Sequence, residues 1–222
     1  MNALQSALTV PSSDLVTPSR ETTRERIVAA AVQSLVEDGY AATTTLRVQH
    51  RAGVSRGALL HHFPRREDLY VAAVHQLVAD TLDEIRRALK QMPPEPDLAD
   101  RTVWMIRQAS LSPYFAAQLE LWAAARTDPA LREALRGAER PALYQLRTLM
   151  EEVFGPEIIA TPHYPLFRTV VIQIMRGMAV ANGLSGDQQP AEAVLQQIRE
   201  LTRVVLADSV TRKQKEAQCL TG

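Results

Sequence analysis

Apolar residues recur every three or four positions along most of this chain and almost nowhere in strict alternation. That period belongs to amphipathic helices rather than strands, so the fold class it predicts is all-α. From about Thr22 to Asp38, Ile27, Ala30, Ala31 and Leu35 share one face. Gly39 is placed to end that helix, because glycine takes the left-handed conformation there at little steric cost. Two short helices follow, over about 45–52 and about 56–62. Thr44 and Ser55 precede them, with hydroxyls able to accept the free amides of a first turn, and Gly53 closes the first of the pair. Val48, Ala52, Val54, Leu59 and Phe63 form an apolar seam between the two. Pro64 breaks the chain. A long helix over about 66–90 then carries the stripe Tyr70, Val74, Leu77, Val78, Ile85 and Leu89, with Glu67 and Asp68 in the first turn, where the helix dipole favours acids.

Met92-Pro93-Pro94-Glu95-Pro96 reads as a linker, since proline cannot continue a helix. Beyond it the helical period resumes over about 98–110, from Ser112-Pro113 to about Ala125, and from Asp128-Pro129 to near Phe154. Pro141 lies inside the last of these, which predicts a kink or break near Gly137–Pro141. Gly155-Pro156 closes it. A helix from about Pro165 to Leu184 has Phe167, Val170, Val171, Ile174, Met175 and Met178 as its stripe. After a turn at 183–187, a last one over about 190–208 has Val194, Leu195, Ile198, Leu201 and Val205. Residues 1–20 and 211–222 read as flexible arms.

Two short helices cornered by a glycine make a helix-turn-helix, at about 44–63. Its second helix is short, polar at its start and begun by an arginine, which suits the major groove of DNA. Composition adds little until charge is read locally. The 222 residues carry no net charge. Between Arg20 and Arg66, however, eight arginines face only Glu21, Glu25, Glu37 and Asp38, an excess of four, with His50, His61 and His62 beside them. A modest basic patch on a neutral chain fits a DNA-binding end better than general polyanion binding. The one cysteine, Cys219, allows no disulfide framework, and neither a membrane-length apolar run nor a secretory pattern is visible. A cytoplasmic protein without membrane contact is expected. The histidines have no carboxylate or cysteine companions at metal-binding spacing, so neither metal nor cofactor is expected. Gly53-Val54-Ser55-Arg56-Gly57 also fits the G-x-S-x-G pattern of hydrolases, but that nucleophile elbow needs a preceding strand, and here a helix precedes it. No enzyme is expected.

Ile27-Val28-Ala29-Ala30-Ala31 through Leu35, Gly39-Tyr40, Thr43-Thr44, Ala52-Gly53-Val54-Ser55-Arg56-Gly57-Ala58-Leu59, His62-Phe63, and Glu67 with Leu69 together resemble the DNA-binding end of the TetR family of repressors. Departures from that family's pattern are Gln49 for alanine, Leu60 for a phosphate-contacting tyrosine, Arg66 for lysine and Arg65 for a capping Ser or Asn. The resemblance implies a DNA-binding domain over 21–81 and a helical effector-binding and dimerisation domain over 82–210. It implies double-stranded operator DNA, a second copy of the chain and a small-molecule effector as partners. The DNA-facing candidates are Thr44, Thr45, Arg47, Ser55, Arg56, Gly57, Ala58, Leu60, His61 and Arg66. Arg56, at the start of the second helix, suits either a guanine edge or a phosphate. Trp104, Arg107, Trp122 and Tyr144 are candidates for an effector pocket, against ordinary core packing. Phe167, Val170, Val171, Ile174, Met178, Val194, Ile198, Leu201 and Val205 are candidates for a dimer interface, against filling the chain's own core. The expected function is a dimeric repressor released by an effector; the alternative is a helical module without DNA binding.

Overall fold

A computed structural model describes residues 22–92, 97–185 and 192–204. The expected arms, the proline linker at 93–96 and Val205 lie outside the described residues. Every regular element among the described residues is helical. The head comprises α1 (Thr23–Ala42), α2 (Thr45–Ala52) and α3 (Arg56–His62). From it α4 (Arg66–Leu89) runs into the body, which holds α5 (Leu98–Leu111), α6 (Pro113–Ala125), α7 (Pro129–Phe154), the single turn α8 (Pro156–Ile159), α9 (Tyr164–Ser185) and α10 (192–204).

Local chemistry sets the starts of these helices. Thr22 and Glu25 form a reciprocal capping box at α1, satisfying two amides that the helix itself leaves free. Asp97 caps α5, and Ser112 caps α6 with Pro113 at its first position, where a missing N–H costs nothing. One carboxylate oxygen of Asp128 accepts from both Ala130 N and Leu131 N at 3.0 Å to start α7. Gly39 breaks α1 with φ +75°, but the chain then makes one further helical turn to Ala42 rather than stopping at Asp38. The turn persists because Thr43 Oγ1 donates to the Gly39 carbonyl at 2.7 Å and the Thr43 amide donates to Gly39 and Tyr40.

The body packs around α6. It touches α4, α7 and α9, while α4 lies on α7 and α5 on α9. Leu121 of α6, Leu77 of α4, Met105 of α5, Leu149 of α7 and Met175 of α9 are all wholly buried. α1 lies against both α4 and α6, so the head rests on the body through a continuous apolar core.

Two expectations need correction. The α7 helix does not break near Gly137–Pro141; it runs through Pro141 from Pro129 to Phe154, held by Leu131, Leu135, Ala138 and Ala142 on its buried face. Packing of that face outweighs the hydrogen bond that proline cannot donate. The apolar stripe of α9 and α10 also divides differently. Val171, Met178 and Ile198 are buried in the chain's own core, and Phe167 and Ile174 pack against it. Because Pro141 is exposed, Pro141→Ala restores a main-chain donor without touching the core. It is expected to stabilise the protein by about 1–3 kcal/mol, read as a higher urea midpoint followed by circular dichroism.

Candidate nucleic-acid interface

The helix-turn-helix is assembled from both sides. Thr44 Oγ1 accepts the Arg47 amide at 3.2 Å and Ser55 Oγ accepts the Ala58 amide at 3.1 Å, so each hydroxyl starts its helix. Gly53 sits at φ +62° between them. Val48, Ala52, Leu59 and Phe63 are buried in the seam. From behind, Arg26 of α1 donates to the carbonyls of Ala52 at 2.7 Å and Gly53 at 3.3 Å. A cation thus closes the C-terminal end of α2, where free carbonyls and the helix dipole favour positive charge. Arg24 lies over the Phe63 ring at 5.3 Å. The Tyr70 hydroxyl of α4 donates to the Thr43 carbonyl at 2.6 Å, just before α2. Burial pushes its phenol up to about 12.

These supports present one polar face outward. Thr44, Thr45, Arg47, Ser55, Arg56, Gly57, Leu60 and His61 are exposed, and Ala58 partly so. Arg56 has neither an ion pair nor a hydrogen bond among the described residues, and stands at the N-terminal end of α3 where it can reach outward. His61 is exposed, while His62 is half-buried and meets it edge-on at 5.2 Å. The basic excess is smaller at the surface than a count suggests. Asp38 holds Arg47 at 2.9 Å, and Glu37 holds Arg51 at 2.8 Å. Arg66, expected to keep a charge for phosphate, is turned between Glu67 at 2.8 Å and Asp128 of the body at 2.7 Å. That corrects its place: the neighbouring carboxylates supply a nearer counter-charge than a phosphate.

Among the described residues, polar contacts join the head and the start of α4 to the body. Glu120 of α6 accepts the Tyr40 main-chain N–H at 2.9 Å, directly after the glycine kink. Asp128 accepts from Arg66 with one oxygen while capping α7 with the other. Sequence spacing carries no sign of either, since the partners lie 80 and 62 residues apart.

Behind the head, α4, α6, α7 and α9 enclose a cleft. Of the four effector candidates only Trp122 lines it. Trp104 packs half-buried against the core, Arg107 is paired with Glu192, and Tyr144 is 72% exposed. These three are corrected, since none of them lines the cleft. Gln118 and Arg176 line it with Trp122, and Arg176 is the one that sequence reasoning missed. The visible signal was a lone arginine in the apolar run Ile174-Met175-Arg176-Gly177-Met178. On the outer side of α9, Leu166, Val170, Gln173, Gly177 and Val180 form an exposed stripe at helical spacing; Val194, Leu201 and Val204 of α10 are exposed as well. Of the expected interface residues, Val170, Val194 and Leu201 are exposed; Val171, Met178 and Ile198 are buried in the chain's own core, and Phe167 and Ile174 pack partly buried against it.

A helix-turn-helix head with an open polar face, carried on an all-helical body with its own cleft, defines a DNA-binding regulator. Residues 27–73 match the family model described as bacterial regulatory proteins of the tetR family. The HTH-type transcriptional regulator CymR of Pseudomonas putida is 31% identical over 208 residues, covering 90% of this chain and 89% of that protein. A transcriptional regulator from Rhodococcus sp. Rha1 has a similar fold, with a TM-score of 0.64 at 23% identity over 84% of this chain and 97% of that one. So does the multidrug binding protein EbrR, solved with ethidium, with a TM-score of 0.59 at 21% identity over 81% and 99%. The chain belongs to the tetR family of transcription regulators. Such regulators are not enzymes. Among the described residues no cluster of metal-ligating side chains occurs, and no helix is long and apolar enough to cross a membrane.

The head–body contact at Gly39 can be tested by substitution. A Cβ there would sit 3.1 Å from Glu120 Oε1 on a backbone that side chains rarely adopt. Gly39→Ala is expected to cost about 1–3 kcal/mol, because φ +75° with ψ 171° is a conformation essentially reserved for glycine. Glu120→Ala, which leaves only a half-exposed amide without its acceptor, is expected to cost about 1 kcal/mol, and Glu120→Gln less. Urea denaturation of the three variants checks the order.

Proposed function

We propose that the protein is a dimeric repressor whose two α3 helices enter successive major grooves of a pseudo-palindromic operator, about 34 Å apart. The observation that carries this reading is the open, unpaired Arg56 at the start of α3, beside Ser55, Gly57 and His61 on one exposed face. Small Gly57 lets the helix backbone approach the groove. Thr44 and Thr45 stand where phosphates flank it, setting register without reading sequence. Arg47 adds a phosphate contact by leaving Asp38, whereas Arg66 serves the head–body joint. We assign residues 21–81 to the DNA-binding domain and 82–210 to the effector-binding and dimerisation domain, acting inside the cytoplasm.

The dimer surface in this reading is the exposed stripe of α9 and α10. Leu166 at 68% exposed, Val180 at 54% and Leu201 at 55% are large apolar side chains left in water. Contiguous apolar surface of this kind marks an interaction site. Gly177 in the middle has open space where a Cβ would stand, which lets two helices approach closely. An effector bound in the body favours an arrangement in which the two α3 helices no longer match the operator, and by reciprocity the operator weakens effector binding equally.

Two measurements test the reading. Arg56→Ala is expected to cost about 1–3 kcal/mol on the operator and to relax discrimination at one or two base pairs. Equal losses on operator and random DNA would remove the reading role, and no salt-dependent binding by the unsubstituted protein would favour the module without DNA binding. Val180→Asp places a charge in the stripe and is expected to yield folded monomers in sedimentation, with operator affinity lost. A dimer unaffected by it would place the interface elsewhere.

A further inference from the structure

The cleft behind the head contains a cation that forms no ion pair among the described residues. Arg176 of α9 is half-buried, and its Nε is shut off from solvent with no hydrogen-bond partner. Its guanidinium lies over the Trp122 ring at 4.7 Å. Burial works against the charged form, and Glu139 of α7 is the carboxylate that favours it, yet the two form no ion pair. A cation held this way costs solvation that neither contact returns in full. Beside it, Gln118 is 4% exposed and makes no hydrogen bond to another described residue. Gln118 and Trp122 are one turn apart on α6, so both face the same space. The remaining wall is mostly apolar, with Leu82, Ile85, Phe115 and Met175; Thr81 also lines it, its hydroxyl spent on the Leu77 carbonyl at 2.8 Å.

We infer that this cleft takes a small hydrophobic monocarboxylate, its carboxylate on Arg176 and Gln118 and its apolar body against Trp122, Phe115 and Met175. Guanidinium and carboxylate match in a bidentate geometry, and the Gln118 amide supplies a further donor. The Trp122 face, now covered by Arg176, becomes a wall for the ligand when the cation swings to its anion. The interior volume is about 30 Å³, room for one or two waters. The ligand therefore enters by parting α6 from its neighbours. Glu120, two residues before Trp122, is bonded to Tyr40 of the head, so parting α6 disturbs that contact directly. Cationic dyes such as the ethidium bound by EbrR would here meet a like charge.

The assignment of ligand class rests on the cleft alone; release of DNA by that ligand rests on the repressor reading. Calorimetric titration of the full-length protein with 4-tert-butylbenzoate and with octanoate, each against its uncharged amide and against ethidium, tests the class. Both carboxylates are expected to bind about tenfold or more tightly than their amides, with ethidium not binding. Arg176→Met is expected to abolish that difference, and Arg176→Lys to keep part of it. Should Arg176→Met fail to fold, Gln118→Leu is expected to weaken the carboxylates severalfold on its own. Equal binding of acid and amide, preference for ethidium, or no binding of either carboxylate overturns the assignment. Operator affinity of the ligand-free protein, measured in parallel, reports separately on the repressor reading.

Discussion

One carboxylate holds the two halves of this molecule in register. Glu120 reaches from the centre of the body to the Tyr40 amide at the point where Gly39 interrupts α1. The approach is close enough that a side chain at position 39 would crowd it. The kink frees the Tyr40 amide from the helix ladder, and the carboxylate replaces the partner it lost. Asp128 repeats the device three residues beyond α6: it starts α7 and binds Arg66 at the start of α4. One acid within α6 and one just beyond it thus connect the body to the end of α1 and to the start of α4. Neither contact is strong by itself, and both lie partly in water. Their value is geometric: they fix where the body meets the end of α1 and the start of α4.

The head itself is stiffened from within. Arg26 binds the carbonyls at the α2–α3 corner, Tyr70 binds the carbonyl before α2, and buried side chains fill the seam. The helix-turn-helix is therefore presented as one well-packed unit. The charge pattern follows the same division. Arg47 and Arg51 are partly answered by Asp38 and Glu37 at the rear of the head, while Arg56 at the front is left open.

Much of this was legible before any coordinates. Thr44, Gly53 and Ser55 mark helix ends by local chemistry that works over three or four residues, and α2 and α3 begin and end where those residues dictate. The periodicity of Ile27, Tyr70, Leu77 and Ile85 placed the buried faces of α1 and α4 for the same reason. What sequence could not carry depends on distant partners. Arg66 read as a phosphate contact because Asp128 is far away in the chain. Tyr144 and Arg107 read as pocket residues because their chemistry suited one, whereas only the rotation of each helix in the bundle decides which way a side chain turns. The apolar residues of α9 cover more than one face of the helix, and period alone does not say which side meets the core and which stays open.

That helix has one more implication. Arg176 and Gly177 are neighbours in sequence yet lie on different faces of α9, the first lining the cleft and the second exposed on the outer stripe. A single helical wall, one backbone thick, divides the two environments. Evolution at the inner surface cannot be independent of the outer one: any substitution that rotates α9 to widen the cavity also re-aims Leu166, Val170 and Val180. Diversification of what such a body senses is thereby tied to diversification of how it assembles.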